Sequence, residues 1–385
     1  MRRSLTAVYS TAAIALAAPL GAAERVPDRG WSVAGREAAS PAISILQFGA
    51  VPNGERDSTA AIQRAFDEAK ARSVPVFIPA GRFRHSKALV ADGIKIFGSG
   101  PTSVLFATNP RSSALFLRGA SPAVADLALE TAAGPRQDKL EENAVTVDRA
   151  RNFSIRRLHI QSSAAAGIHV FGAKGGRIES CTILNTNADA IHISNTDRGE
   201  PSSNIVVEHN KIEQSGDDGI AVVSYGSNET RNFSITVRSN SVANNRWGRG
   251  YSVVGGRDIG ILDNYYENNL AGFAGIYLAS EPAYQTGSVN GVRVAGNVIR
   301  NAGGRHGAIH IYSGQPSLEN SNIEVVDNTV LHPRWGWLVV NGNGGNRAIS
   351  VERNAILSKQ FGEVMLLDRP AQIAIEGNRA LTDAR

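Results

Sequence analysis

The sequence contains little cysteine and few aromatic residues. Cys181 is the only cysteine among 385 residues, so no disulfide can form within the chain. Aromatic residues make up 6% of the composition whereas glycine occurs 39 times, which is typical of tight coils with many turns. The net charge of +5 is compatible with an anionic polymer as partner. Nucleic acid is not expected, because no motif for binding it is present.

Long hydrophobic runs are absent except near the N-terminus. Arg2 and Arg3 precede an apolar segment at residues 11–20 and small residues at 21–23. This order predicts a signal peptide over residues 1–23, used by the general or the twin-arginine export route, and then a lead-in over residues 24–42. Because no later run is long enough to cross a bilayer, we expect no membrane span and a periplasmic or secreted protein.

A short pattern recurs along most of the remaining chain at intervals of about 23 to 33 residues. Its first half reads apolar-x-apolar-x-x-Asn-x-apolar, as in residues 205–212, and its second half is a small residue followed by apolar-x-apolar, as in residues 219–222. The recurring asparagines are Asn210, Asn240, Asn264, Asn297, Asn328, Asn354 and Asn378, and Leu158 and Cys181 occupy the same slot upstream. The small residues are Gly167, Ala190, Gly219, Gly250, Gly275 and Ala308.

Each repeat holds two or three short strands of alternating polarity, joined by turns rich in Gly, Asn and Asp. One unit cannot bury its apolar face alone but stacked units can, so each strand should pair in parallel with its equivalent one turn later. The asparagine then lies at an inward corner, where its amide bonds the backbone and the asparagine of the next turn. Because parallel crossovers are right-handed, we predict an all-β fold, a right-handed parallel β-helix, as one domain over residues 43–385.

The start of this domain predicts a cap for the open end of the coil. Asp57 or Ser58 is a suitable N-cap for a helix. Ile62, Phe66 and Ala69 form an apolar stripe on that helix, which can cover the exposed end of the core.

This block resembles the start of the pectate-lyase-like superfamily. Residues 48–66 follow the pattern FGAxxxGxxDxTxAIQxA, and residues 78–83 follow its later apolar strand ending in PxGxF. The resemblance implies a parallel β-helix with an N-terminal cap, here about residues 43–100. Members of this superfamily include hydrolases, lyases, epimerases, tailspikes and adhesins, so the resemblance alone does not select an activity.

Aligning the repeats brings acidic residues together. The position just before the small residue is Asp189 in one repeat and Asp218 in the next, which places the two carboxylates about one turn, roughly 4.8 Å, apart. Asp217 lies beside Asp218, and Arg249 occupies the column one turn later. Clustered carboxylates repel, so at least one pKa should rise unless Arg249 or a metal compensates.

Such a set suits glycoside hydrolysis, in which one carboxyl protonates the leaving oxygen and another activates water. Two alternatives remain open at this point. Aspartates are common in turns for purely structural reasons, and an oxygen-only cluster suits Ca²⁺, although we assign no metal ligands.

Within the superfamily, the chain is most similar to the polygalacturonases. Their N-T-D motif resembles Asn187-Ala188-Asp189, and their G-D-D motif matches Gly216-Asp217-Asp218. The resemblance implies that Asp218 or Asp217 is the general acid and that Asp189 with the other aspartate holds the attacking water. The family's G-H-G motif is replaced by Gly248-Arg249-Gly250, and its R-I-K strand by Tyr277-Leu278-Ala279. The groups that grip a uronate are therefore missing, which argues against galacturonan as the substrate.

Alternate residues of the strand that follows the small residue should point outward, beside polar and aromatic residues of nearby loops. Such a face suits a sugar-binding groove, although it is also compatible with an ordinary solvated sheet. We predict a polysaccharide partner, with acidic polymers among the candidates. A uronate lyase or epimerase using Arg249 with a His or Tyr base, and a non-catalytic glycan-binding protein, are the alternatives to a hydrolase. The predicted substrate-binding residues are His192, Tyr225, Arg249, Tyr277, Glu281, His306, His310 and Tyr312.

Overall fold

The computed structural model describes residues 42–270, 272–304, 306–358, 364–366 and 372–381. The chain winds into a solenoid of three parallel sheets, and most turns add one strand to each sheet. The sheets contain 13, 13 and 11 strands, and each strand pairs with its equivalent one turn away. The predicted parallel β-helix is confirmed, whereas the predicted signal peptide and nearly all of the lead-in lie outside the described residues.

Most turns of the chain pass through a first, a second and a third sheet, in that order. The strands of the first sheet are Ile43–Ser44, Val76–Ile78, Lys95–Gly98, Ala123–Ala125, Arg151–Arg156, Lys174–Glu179, Ser203–Glu208, Phe233–Arg238, Gly256–Leu262, Val289–Ala295, Glu319–Val326, Gly345–Glu352 and Ile373–Glu376. The strands of the second sheet are Asn53–Asp57, Gly81–His85, Ser103–Ala107, Ala128–Thr131, His159–Gln161, Thr182–Leu184, Lys211–Glu213, Ser241–Ala243, Tyr265–Glu267, Val298–Arg300, Thr329–Leu331, Ala355–Leu357 and Arg379–Ala380. The strands of the third sheet are Leu89–Asp92, Leu115–Arg118, Val145–Asp148, Ile168–Phe171, Ile191–Ser194, Ile220–Val223, Tyr251–Val254, Ile276–Ser280, Ile309–Ser313, Leu338–Gly342 and Val364–Leu366.

One α-helix, α1 (Thr59–Arg72), covers the N-terminal end of the core. Ser58 is the N-cap residue, but the side chain of Asp57 makes the capping bond, accepting from Thr59 N at 2.8 Å. The predicted stripe of Ile62, Phe66 and Ala69 is buried and packs into the same core as the first strands. Short 3₁₀ helices span Ile45–Phe48, Pro110–Ser112, Leu140–Glu142, Asn228–Thr230 and Pro282–Tyr284.

A ladder of buried asparagines joins the turns at the corner between the first and second sheets. Asn264 accepts at Oδ1 from the backbone N and side-chain Nδ2 of Asn240, at 2.9 and 3.0 Å. Its own Nδ2 donates to Asn297 Oδ1 at 3.0 Å and to Val237 O at 2.9 Å. The same pattern continues to Asn378, so the predicted inward corner is confirmed.

Cys181 ends the ladder on its N-terminal side. Its backbone N donates to Asn210 Oδ1 at 2.9 Å, and its thiol is buried and unbridged. Burial raises the pKa of the Cys181 thiol to about 12, so the side chain is an inert packing residue.

No helix in the described residues meets the length and hydropathy that a bilayer crossing requires.

In-register stacking also fixes which side chains of the third sheet face inward and outward. One inward column is buried throughout and consists of Ile168, Ile191, Ile220, Tyr251, Ile276, Ile309 and Leu338. The next residue of each strand points outward, and that column runs His169, His192, Ala221, Ser252, Tyr277 and His310, as predicted.

Replacing a ladder asparagine tests what holds the turns in register. Asn264→Ala removes the amide that satisfies Asn240, Val237 and Asn297, so buried polar groups lose their partners. We expect a loss of about 3 kcal/mol in the free energy of unfolding, measured from the urea midpoint. Asn269→Ala, which changes an exposed asparagine, is the matched control. Equal midpoints for the two variants would contradict a stabilising role for the ladder.

Candidate active site

The carboxylate cluster lies at the corner where the chain passes from the second sheet to the third. The paired residues Ile191, Ile220 and Tyr251 set the register of three successive turns. Asp189 and Asp218 each lie two residues before such a position, so both occupy one column, and Arg249 follows on the next turn. The column predicted from the repeats is therefore present.

Asp189, Asp217 and Asp218 converge closely. One oxygen atom from each carboxylate lies within 4.8 Å of the other two. Asp189 Oδ1 accepts from the backbone N of Asp218 at 2.9 Å, and Asp189 Oδ2 lies 2.6 Å from His192 Nδ1. One carboxylate thus links the two turns while the ring of His192 fixes its orientation.

Asp218 is the most buried member of the cluster. Its Oδ1 accepts from the backbone N of Arg249 at 2.7 Å, and its Oδ2 accepts from Ser252 Oγ at 2.5 Å. Burial raises the pKa of Asp218 above its ordinary value, against the lowering effect of the Arg249 guanidinium, and the Asp189 carboxylate adds to the rise.

Asp217 is the most exposed member of the cluster, with 23% of its side chain exposed against 13% for Asp189 and 6% for Asp218. Its Oδ2 accepts from Arg136 Nη2 at 2.8 Å. Burial and the neighbouring Asp218 carboxylate raise the pKa of Asp217, and Arg136 opposes the rise only in part. Its backbone O accepts from Ser215 Oγ at 2.9 Å and from Asn245 Nδ2 at 2.8 Å, which holds the turn rigidly.

Arg249 closes the cluster on its C-terminal side. Its guanidinium lies 3.7 Å from Asp218 Oδ1, donates to Glu281 Oε1 at 2.8 Å and sits 4.3 Å above the centre of the Tyr277 ring. Burial disfavours its charge, but the carboxylates of Asp218 and Glu281 outweigh this and raise the pKa of Arg249. Arg249 is therefore a permanently charged residue that two protein carboxylates already neutralise.

A calcium ion fits this donor set poorly. Both oxygens of Asp189 and of Asp218, and one of Asp217, already lie at hydrogen-bond distance from protein groups, which makes five of the six carboxylate oxygens. Asp217 Oδ1 is the one oxygen of the cluster that accepts no bond from the described residues. A Ca²⁺ site needs six to eight oxygen ligands, so the arrangement suits proton transfer better than cation binding.

A cleft of about 510 Å³ opens on the N-terminal side of the carboxylates. Its walls include the segment 136–143 and the side chains of Asp189, His192 and Tyr225. Asn195 clamps the backbone of Tyr225 with two bonds of 2.7 and 2.8 Å, which leaves the phenol ring at the cleft edge with 41% of the residue exposed. The cleft is large enough for one or two sugar residues beside the cluster.

The other predicted substrate-binding residues lie on the C-terminal side. His306 stacks on Tyr277 with ring centres 5.3 Å apart, and His310 contacts both rings. Burial, with His310 and Arg249 nearby, lowers the pKa of His306 to about 3, and burial also lowers that of His310. Tyr277 and His310 are only 3% and 6% exposed, so they support the groove from below, whereas Tyr312 packs at its margin.

Three polar residues of the site were not predicted from the sequence. Ser252 belongs to the predicted outward column, but nothing in the pattern indicates that it bonds Asp218. Arg136 reaches Asp217 from 81 positions away through a loop outside the repeat, so no periodic signal could locate it. Asn245 lies two turns after Thr186, at the start of the same corner. One column there consists of small polar residues, and this column was the sequence signal that could have identified Asn245: Ser163, Thr186, Ser215, Asn245 and Asn268.

Sequence comparison finds a family match. Residues 42–274 match the sequence profile of a family described as rhamnogalacturonase A/epimerase, pectate lyase-like. This segment covers more than half of the chain and includes all three aspartates. No match to a curated protein was found.

Structural comparison shows the same fold in proteins with different roles. The catalytic unit of a thermostable GH87 α-1,3-glucanase from Streptomyces thermodiastaticus has a TM-score of 0.67 and 18% identity, covering 91% of this chain and 71% of the glucanase. PfbA, a surface adhesin of Streptococcus pneumoniae, gives 0.60 and 16%, with 89% and 93% covered. The A-module of the Azotobacter vinelandii mannuronan C-5 epimerase AlgE6 gives 0.56 and 16%, with 88% and 99% covered. At such identities the similarity is one of fold.

Gly248 offers a direct test of how closely the turns must approach. Its φ of +71° is unfavourable for other residues, and a Cβ there would lie 2.5 Å from Asp217 Oδ1 and 2.6 Å from the backbone N of Asp218. We expect Gly248→Ala to displace the two aspartates and to lower the free energy of unfolding by about 1 to 3 kcal/mol, measured by urea denaturation. Gly100→Ala, at a similar φ of +83° with open space around it, is the control for backbone strain alone. Equal losses in the two variants would contradict a steric requirement at Gly248.

Proposed function

The chain belongs to the rhamnogalacturonase A/epimerase, pectate lyase-like family, and we propose that it is a glycoside hydrolase that cleaves a polysaccharide with Asp189, Asp217 and Asp218. The observation that carries this proposal is the convergence of three carboxylates beside an open cleft, with the pKa of two of them raised. Hydrolysis needs a proton donor and a proton acceptor close together, and this cluster can supply both.

Asp217 is the general acid in this proposal. It is the most exposed of the three carboxyls, and its raised pKa keeps the carboxyl protonated to a higher pH than an ordinary aspartate. Asp217 donates its proton to the glycosidic oxygen as the bond from that oxygen to the anomeric carbon breaks. The leaving sugar departs as a neutral alcohol, and Asp217 is left ionised.

Asp189 and Asp218 hold and activate the attacking water. Each accepts a bond from a backbone N–H group, which favours the ionised carboxylate and in Asp218 opposes the rise in pKa that burial causes. His192 orients Asp189. As the water oxygen attacks the anomeric carbon, one of its protons passes to this pair. The product has a new reducing end, and the proton later returns to Asp217 through solvent.

The contacts of Arg249 favour hydrolysis over uronate elimination or epimerisation. Those reactions require a cation to neutralise the uronate carboxylate while a base removes the proton at C5. Arg249, the predicted candidate, is already engaged by Asp218 and Glu281.

We also propose that the protein acts outside the cytoplasm, because the N-terminal sequence has the form of a signal peptide.

Asp217→Asn tests the assignment of the general acid. Asparagine keeps the shape of the side chain but has no acidic proton, so we expect kcat/KM on the best polysaccharide substrate to fall by about 10²- to 10⁴-fold. Asp327→Asn, in an exposed ion pair with Arg353, is the control and should retain full activity. Unchanged turnover in Asp217→Asn, with an unchanged urea midpoint, would contradict the proposed role.

Arg136→Gln separates the roles of the aspartates by pH. The guanidinium of Arg136 lowers the pKa of Asp217, so its removal should raise that pKa further. Because the general acid must be protonated, we expect the alkaline limb of kcat/KM to move to higher pH, by about 0.5 to 1 unit. Arg257→Gln, at an exposed pair with Asp258, is the control. A shift of the acidic limb instead would make Asp217 the base.

A further inference from the structure

A strip of rings leads away from the carboxylates along successive turns of the solenoid. Trp247 and Phe273 meet edge to face with ring centres 4.7 Å apart, and Phe273 stacks on His306 at 5.1 Å. These residues come from three consecutive corners between the second and third sheets. Trp247 is 52% exposed, which leaves much of its surface open to a ligand.

The strip begins at the carboxylates themselves. Gly248, the neighbour of Trp247, lies directly against the backbone of Asp217 and Asp218, since a Cβ there would come within 2.6 Å of both. Turns of the solenoid are about 4.8 Å apart, which is close to the length of one sugar residue. A polysaccharide lying along the solenoid axis would therefore place its cleaved bond at the carboxylates and its next sugars over the strip.

The charges around the cleavage point disfavour an anionic sugar. Four carboxylates, those of Asp189, Asp217, Asp218 and Glu281, face two guanidinium groups, those of Arg136 and Arg249, and one imidazole, that of His192. Both arginines are held in ion pairs with these same carboxylates. A uronate would bring a further negative charge into a site that already has an excess of them.

The arginines beside the strip are directed at the backbone. Arg246 Nη2 donates to Thr186 O at 2.6 Å, and Arg334 Nη2 donates to Asn268 O at 2.7 Å. Their guanidinium groups thus lie against carbonyls of earlier turns, which are partial negative charges, and not over the rings. The rings offer apolar faces, which suit the C–H face of a neutral pyranose.

We propose that the ligand of this groove is an uncharged polysaccharide, whose cleaved residue lies at the aspartates and whose following sugar stacks on Trp247. This inference rests on the proposed function for the position of the cleaved bond. The binding strip, however, is defined by its rings and does not require turnover. Trp247 and Phe273 act as substrate-binding residues, and His306 supports Phe273 from the next turn.

The experiment measures binding with the Asp217→Asn variant, which should cleave its ligand about 10²- to 10⁴-fold more slowly than the wild-type protein. The probes are oligosaccharides of neutral glucans, galactans, mannans and xylans, and their uronate counterparts, followed by calorimetry and by tryptophan fluorescence. We expect binding to at least one neutral series and none to the uronates. Adding Trp247→Ala should weaken that binding about tenfold, as expected for loss of one stacking ring of about 1.4 kcal/mol. Phe106→Ala, a part-exposed ring five turns earlier, is the control.

Binding confined to uronates, no binding to any neutral series, or an affinity unaffected by Trp247→Ala would each overturn the inference. The two proposals fail separately. If the wild-type protein hydrolyses a uronate polymer, the proposed hydrolase stands and the proposed uncharged ligand is wrong. If a neutral oligosaccharide binds in a way that depends on Trp247 but the wild-type protein never cleaves it, the proposed binding strip stands and the proposed hydrolase is wrong.

Glu281→Gln supplies a second readout. Removing this carboxylate leaves the guanidinium of Arg249 less neutralised. We expect uronate binding, undetectable in the Asp217→Asn variant, to become measurable when Glu281→Gln is added, because the excess negative charge decreases further. A variant that folds normally and shows no gain would contradict the charge argument.

Discussion

The in-register stacking of each turn on the next is the constraint on which the rest of this structure depends. A parallel strand pair places a residue beside its equivalent one turn away, so any column of the sequence becomes a column in space. The asparagine ladder fixes that register because each amide must meet the amide of the next turn. A slip by one residue would turn the apolar column inside the third sheet outward and separate the aspartates.

The same stacking explains how carboxylates are kept together although they repel. Asp189 and Asp218 cannot move apart without breaking the strand pairing on either side of them, and backbone N–H groups stabilise their charges. Arg136 and Arg249 close the cluster from opposite ends. Burial, together with the repulsion that remains, raises the pKa of Asp217 and Asp218, and acid catalysis by Asp217 uses this rise. The fold is thus the means by which an unfavourable contact is maintained for function.

The features that recur from turn to turn could be predicted from the sequence, whereas most contacts made by the loops could not. The asparagine ladder and the column of Asp189, Asp218 and Arg249 followed from the repeat, because a regular solenoid converts sequence spacing into distance. The capping stripe of α1 followed from the spacing of apolar residues along one helix. The contacts of Arg136 with Asp217 and of Ser252 with Asp218 did not, since they depend on loop paths and on side-chain rotamers. Burial of Tyr277 was equally invisible, because the loops that shape that face follow no period. The loops therefore have to be seen in three dimensions before the subsites can be assigned.

The central claim is hydrolysis of a polysaccharide by the aspartate cluster. The most direct measurement incubates the protein with a panel of neutral and acidic polysaccharides and follows reducing ends and the ultraviolet absorbance of unsaturated uronates together. The account predicts that reducing ends rise on a neutral polymer while the absorbance stays flat. Absorbance that rises together with the reducing ends would show elimination, and would contradict both the assigned roles of the aspartates and the uncharged substrate.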